Sequence, residues 1–276
     1  MESTSTKNLL TIPMAIIVAG GLIAAAIFLG GRTDTVSTTE PQNETAAALL
    51  PTAKPSALTL RAVDETRDHI RGNPEADIVF VEFSDTECPF CKRFHFTMQE
   101  VMNEYGKSGK VAWVYRHFPI PALQGHENAP KQAEATECAA ELGGNVAFWK
   151  VIDRMFEEVP LQGTLDMSLL PQFAGEAGLD SAQFTSCLES GRMQAEIQRD
   201  LDDGSTAGVS GTPYSTLVLR REVSEEERKA LLTLMEPFRD SQGELLISFS
   251  TDRLRIGVSG ALPADVLKNI VEILLK

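Results

Sequence analysis

The stretch Val81-Glu82-Phe83-Ser84-Asp85-Thr86-Glu87-Cys88-Pro89-Phe90-Cys91-Lys92 decides how the rest of the chain is read. It continues Ile78-Val79-Phe80, so that from Ile78 to Phe83 only Glu82 is polar, the pattern of a buried strand. The two cysteines come where that strand turns into a helix. Pro89 suits a first helical position because it has no N–H to lose, and the chain from Cys91 to about Gly106 suits a helix. The N–H groups of a first helical turn lack intrahelical partners and point at a side chain placed there. A thiolate at Cys88 would be stabilised by them, which makes it a better leaving group. Cys91, one turn further in, is placed to close a disulfide with Cys88 and to be the more buried of the two.

Two plainer readings of the cysteine pair compete with redox chemistry. A zinc half-site also uses Cys-x-x-Cys, but it needs two further ligands, and the remaining cysteines, Cys138 and Cys187, stand alone without paired spacing. A purely structural bridge is disfavoured because closing a loop of two intervening residues removes very little chain entropy. Redox function is the reading that remains.

Around this centre the chain alternates strands and helices. Val111 to Phe118 reads as a second strand, halted by Pro119 and Pro121, and with the first strand and the helix between them it makes a right-handed βαβ unit with parallel strands. From 119 to 211 there is no convincing strand. Phe148, Trp149, Ile152, Met155, Phe156 and Val159 share one helical face; Phe184, Cys187 and Leu188 share a second; Met193, Ile197 and Leu201 share a third. The stretch reads as a helical subdomain inserted into an α/β sheet. Strand pattern resumes at Tyr214–Leu219, Ser224-Glu225-Glu226-Glu227 is a capping-box signature opening a helix, and Leu245–Phe249 with Arg253–Ile256 reads as an antiparallel pair. A last amphipathic helix starts at Pro263.

The N-terminal part differs. Residues 8–31 carry no charge, enough apolar length at about 1.5 Å rise per residue to span a bilayer. A retained anchor and a cleaved signal peptide compete; Ala24-Ala25-Ala26 lies inside the apolar run, with Ile27-Phe28-Leu29 still to follow, which favours the anchor. The expected organisation is a short cytoplasmic end at 1–8, a transmembrane anchor at 9–31, a flexible polar linker at 32–57 and a folded domain at 58–276 with its helical insertion at about 119–211. With 25 Lys and Arg against 39 Asp and Glu, a net charge of -14, the chain would repel a polyanion, which argues against nucleic acid as a partner.

Val81-Glu82-Phe83-Ser84-Asp85 with Cys88-Pro89-Phe90-Cys91, and the later Gly208-Val209-Ser210-Gly211-Thr212-Pro213, resemble the thioredoxin superfamily and, within it, the DsbA-like thiol:disulfide oxidoreductases over about residues 60–276. The resemblance implies a thioredoxin fold with an inserted helical subdomain. It makes Cys88 and Cys91 the catalytic pair and Thr212-Pro213 a cis-proline loop that holds substrate, where an ordinary turn proline is the alternative. Pro89 and Phe90 become the dipeptide that tunes redox poise beside the substrate. Strongly oxidising members often carry His next to the second cysteine, so Phe90 implies a milder oxidant. Glu82 matches the family's buried acid, able to take the proton of Cys91, where a solvent-facing strand-end Glu is the alternative. Cys138 and Cys187 are similar to a second, structural disulfide found in some members, worth roughly 4 kcal/mol in the chain-entropy model; two free buried cysteines are the alternative. Ser84 and Asp85 precede the cysteine motif and are expected to shape its loop; His117 and His126 receive no role.

The function so implied is an extracytoplasmic, membrane-tethered oxidoreductase that donates disulfides to cysteine-containing translocated proteins. It would be reoxidised by a membrane partner of the DsbB or VKOR-like type, and no metal or organic cofactor is implied. A reductase or isomerase on the same fold and a non-catalytic binding or chaperone module are the rival readings.

Overall fold

The strand that ends at the cysteine pair, β2 (Ile78–Ser84), is buried along its whole length. A strand with no solvent-facing side belongs in the middle of a sheet covered on both faces, and that is where it lies. The computed structural model describes residues 58–161 and 164–276. The segments read above as cytoplasmic end, anchor and linker lie outside the described residues. Among the described residues no helix is long and apolar enough to cross a membrane.

Six strands form one mixed sheet in the order β1-β3-β2-β4-β6-β5. β2 runs parallel to β3 (Val111–His117), with Glu82 opposite Tyr115 and Phe80 opposite Trp113. Every other pairing is antiparallel: β1 (His69–Gly72) with β3, β2 with β4 (Tyr214–Leu219), β4 with β6 (Arg255–Ser259), and β5 (Ile247–Phe249) with β6. The parallel β2–β3 connection runs through α1 (Pro89–Val101) and a π-helical turn, Met102–Gly106. The helix read from Cys91 to Gly106 is therefore regular only to Val101.

Between β3 and β4 the chain is helical: α2 (Ala129–Glu158), α3 (Leu170–Glu176), α4 (Ser181–Ser190) and α5 (Gln194–Ala207). α2 breaks at Gly144, whose φ of 69° is a left-handed conformation that a residue with a Cβ adopts at a cost. α6 (Glu225–Met235) opens on the full capping box, with the Ser224 hydroxyl accepting from the Glu227 N–H and the Glu227 carboxylate accepting from the Ser224 N–H. α7 (Ala264–Leu274) ends the chain's regular structure.

The pleat of β2 sorts its side chains into two cores. Ile78 and Phe80 point to the side that carries α1, most of the inserted helices and α7, where they pack with Trp113, Tyr115, Phe94, Phe148 and Leu267. Val79, Val81 and Phe83 point to the other side and meet Val114, Phe118, Ala207 and Leu58. On that second face α5 lies so near the sheet that a Cβ on Gly204 would sit 2.6 Å from the Phe118 ring. The same face holds Arg116, fully buried, its guanidinium forked onto Asp68 at 2.9 Å by two N–H groups and bound to Asp203 of α5 at 2.5 Å. A buried cation needs such paired, hydrogen-bonded anions, and here they fasten α5 to the sheet.

Candidate active site

Cys88 is the N-cap of α1 and Pro89 its first residue. The two cysteines are free thiols. Cys91 is fully buried and Cys88 6% exposed, so only Cys88 has any path to solvent. The turn that carries them is tightly bonded. The Cys88 N–H donates to the Asp85 carbonyl at 3.1 Å, and the Asp85 N–H donates to the Cys91 sulfur at 3.4 Å. Across the sheet, the loop before β4 brings up the cis peptide Thr212-Pro213, and the Cys88 thiol donates to the Thr212 carbonyl at 3.4 Å. Phe90, 52% exposed, stands beside the pair with the Arg93 guanidinium 4.6 Å from its ring centre.

The two thiols are driven apart in acidity. The hydrogen bond from Cys91, and after it the N–H groups of Cys91 and Phe90 and the side chain of Thr212, bring the Cys88 thiol down to about 6 against burial, which opposes them. For Cys91, burial comes first, and its hydrogen bond to Cys88 and the negative charges of Cys88 and Glu82 push it further in the same direction, well above the ordinary thiol range. A thiol that titrates near 6 is about nine-tenths thiolate at about pH 7. The outer cysteine is thus the one whose thiolate is favoured, and the inner one is the one that holds its proton.

Glu82 is fully buried on the same face of β2, and the Trp113 indole N–H donates to its Oε2 at 2.8 Å. Burial, more than the nearby charge of Cys88, raises its carboxyl to about 7. At neutral pH such a group both gives and takes a proton readily. The side chain is enclosed and not solvent-facing. Trp113 was legible in the sequence only as a core residue; its part in holding Glu82 follows from the β2–β3 register, which places it on the same face of the sheet as Glu82.

Cys88, Pro89, Phe90, Cys91, Glu82, Thr212 and Pro213 therefore come together at one end of the sheet. Cys138 of α2 and Cys187 of α4 do not join them: they form a disulfide within the inserted helices. Around the turn lie Asp85, read from the sequence only as shaping the loop, and Glu87 and His126, which received no role. Asp85 accepts from Glu87 N–H and Ile120 N–H, each at 2.8 Å, and pairs with His126 Nδ1 at 2.9 Å. Glu87 accepts from Asn128 N–H at 2.8 Å and from the Gln132 amide at 3.0 Å. His117 sits apart, between Thr136 at 3.0 Å and Glu137 at 3.3 Å. Apart from the local Asp85–Glu87 contact, no periodicity signals these pairs, because their members lie 19 to 45 positions apart.

A family model described as Thioredoxin matches residues 64–231, more than half of the chain. Among curated proteins, the chain is 31% identical over 182 residues to the Na(+)/H(+) antiporter NhaA 1 of Mycolicibacterium gilvum, which covers 65% of this chain and 28% of that protein. It is 36% identical over 151 residues to the Na(+)/H(+) antiporter NhaA 3 of Salinispora tropica, covering 55% and 22%. The chain spans less than a third of the length of either relative. Among solved structures, oxidised BdbD of Bacillus subtilis superposes with a TM-score of 0.56 at 16% identity, covering 77% of this chain and 96% of that one. The alpha-DsbA1 of Wolbachia pipientis gives 0.53 at 18% identity, covering 78% and 93%, and DsbA2 of Pseudomonas aeruginosa gives 0.50 at 24%, covering 77% and 96%. At these identities the likeness is one of fold: a thioredoxin-like α/β sheet with its helices, shared over nearly the whole of each of those chains.

Proposed function

The chain belongs to the thioredoxin family, and from that premise we propose that it is a DsbA-like thiol:disulfide oxidoreductase that donates a disulfide to translocated proteins through Cys88 and Cys91. The observation that carries the proposal is the geometry of the pair: Cys88 caps α1 with its thiol on the Thr212 carbonyl beside the cis Thr212-Pro213 peptide, and Cys91 lies fully buried behind it, an arrangement that draws Cys88 down to about 6 and pushes Cys91 well up. Stabilising one thiolate stabilises the dithiol form as a whole, and a protein whose dithiol is stabilised is, as the disulfide, an oxidant.

The exchange then runs in two steps. A substrate thiolate attacks the Cys88 sulfur of the Cys88–Cys91 disulfide; the bond between the cysteines breaks, a mixed disulfide forms, and Cys91 leaves as a thiolate. Cys91 is held where a thiolate is disfavoured, so it takes up a proton, which Glu82 is placed and tuned to supply. A second substrate thiolate attacks the substrate sulfur of the mixed disulfide. The substrate leaves oxidised by two electrons, and Cys88 departs as its stabilised thiolate. The carbonyl of Thr212, 3.4 Å from Cys88, marks the edge along which an extended substrate segment would lie, and exposed Phe90 offers it apolar contact.

Reloading the pair requires a membrane oxidant of the DsbB or VKOR-like type, and the uncharged run at 9–31 would hold the domain on the outer side of the membrane where translocated chains emerge. The relatives named as antiporters are far longer than this chain, and their ion exchange is not part of this reading. The test is to mix the oxidised full-length protein with a reduced peptide holding two cysteines. The peptide should emerge as its disulfide, and Cys88→Ser and Cys91→Ser, neither of which can hold the Cys88–Cys91 disulfide, should both abolish the reaction. Peptide oxidation by Cys88→Ser at the wild-type rate would overturn the proposal.

A further inference from the structure

Asp85 touches both cysteines with its main chain, and its side chain is held from three directions. Its N–H donates to the Cys91 sulfur and its carbonyl accepts from the Cys88 N–H. Its carboxylate is 1% exposed at the residue level and accepts from Glu87 N–H on Oδ1, and from Ile120 N–H and the His126 ring on Oδ2. A carboxylate has no proton to offer, so His126 Nδ1 is the donor. Two of the three anchors are main-chain groups. Only His126 is a side chain, and it arrives from the connection between β3 and α2, 41 positions away in sequence. That connection is itself seated: the His126 N–H donates to the Leu123 carbonyl at 3.1 Å, and the His126 carbonyl accepts from the Ala129 N–H at the start of α2 at 3.3 Å.

We propose that His126 is a positioning residue for the Cys88–Cys91 pair: by holding the Asp85 carboxylate, it fixes the main-chain N–H and carbonyl of Asp85 that set both cysteines in place. This rests on the functional reading above, since it assigns His126 to the same site. Without the imidazole donor, Oδ2 keeps Ile120 N–H alone, and a buried carboxylate short of a hydrogen bond gains by turning toward water. Any such turn carries the Asp85 N–H away from Cys91 and its carbonyl away from the Cys88 N–H. The Cys91-to-Cys88 hydrogen bond that supports the Cys88 thiolate then loosens.

The readout is the rate at which iodoacetamide alkylates Cys88 in the reduced full-length protein in detergent micelles, which needs no substrate. At about pH 6.5, His126→Phe should slow alkylation by about fivefold. His126→Asn, whose amide nitrogen falls near the place of Nδ1, should restore the rate to within about twofold of wild type. Ser224→Ala, which removes the cap of the distant α6, should leave it unchanged, so that a general loosening of the fold is told apart from loss of positioning. Should His126→Phe fail to fold, His126→Gln, whose donor reaches beyond the Nδ1 place, stands in for it. A wild-type rate in whichever of these two folds would overturn the proposal, and so would equal slowing in His126→Asn. A protein that shows the His126 effect on alkylation yet never oxidises a peptide would overturn the functional reading and leave this one standing.

Discussion

Glu82 is an acid placed where its neutral form is favoured, and the cost can be measured. Its carboxyl titrates at about 7 in the folded protein against an ordinary 4.5. Below about pH 4.5 it is protonated in the folded and unfolded states alike and costs nothing. Between there and about pH 7 the unfolded chain releases the proton while the folded chain keeps it, so the folded state loses stability as the pH rises. Glu82→Gln has no proton to lose. The reduced variant should therefore gain stability over reduced wild type on going from about pH 5 to about pH 8, by at most about 3 kcal/mol in urea denaturation. A difference that stays constant over that range would contradict the assignment. The same variant should slow disulfide exchange, because Cys91 then lacks its proton donor. At this scale the sequence is legible where a residue's meaning is local: two cysteines three apart at a strand-to-helix turn read as a redox pair without any knowledge of the fold. Asp85 was legible as a residue that shapes the loop before the cysteines, but its pairing with His126 was not, because that meeting depends on where the connection after β3 returns.

Helices and strands were legible in proportion to their own patterning. The capping box at Ser224 marks α6 from four residues, and Val111–His117 declares itself by an unbroken apolar run before its final Arg and His. β1 escaped notice because His69-Ile70-Arg71-Gly72 has one apolar residue in four; it is a strand because β3 offers it an edge, and His69 is held there by Glu137 of α2 at 2.8 Å. The Cys138–Cys187 disulfide ties α2 to α4 across a sequence separation of 49. Replacing both cysteines with Ala should cost about 4 kcal/mol in denaturant unfolding under non-reducing conditions, with the unfolded chain losing its longest restraint among the described residues. The Cys88 alkylation rate should not change, since the bridge joins α2 to α4 and neither of its cysteines bonds to the turn, whose Glu87 contacts α2 at its first turn. A loss below about 1 kcal/mol would mean that helix packing alone holds the insertion.

At the scale of the molecule, two cores on opposite faces of one sheet hold the cysteine turn in place. On one side α1 rests on the larger core with Cys91 at its base; on the other, Arg116 of β3, with Asp68 and Asp203, locks α5 to the sheet. The alternation of strand and helix and the long helical stretch between β3 and β4 could be read from periodicity, while the β1-β3 edge and the strand order could not, because they depend on pairings between segments distant in sequence. The central claim is that this arrangement stores oxidising power in the Cys88–Cys91 pair. It is tested most directly by the reduction potential of that pair in the full-length protein, equilibrated against glutathione. The account predicts a value less reducing than about −200 mV, with Phe90 in place of His keeping it below the strongest oxidants of the family near about −120 mV. A value at or below about −270 mV, where thioredoxin lies, would mean that the resting pair is a dithiol and that the protein reduces or rearranges disulfides instead of donating them.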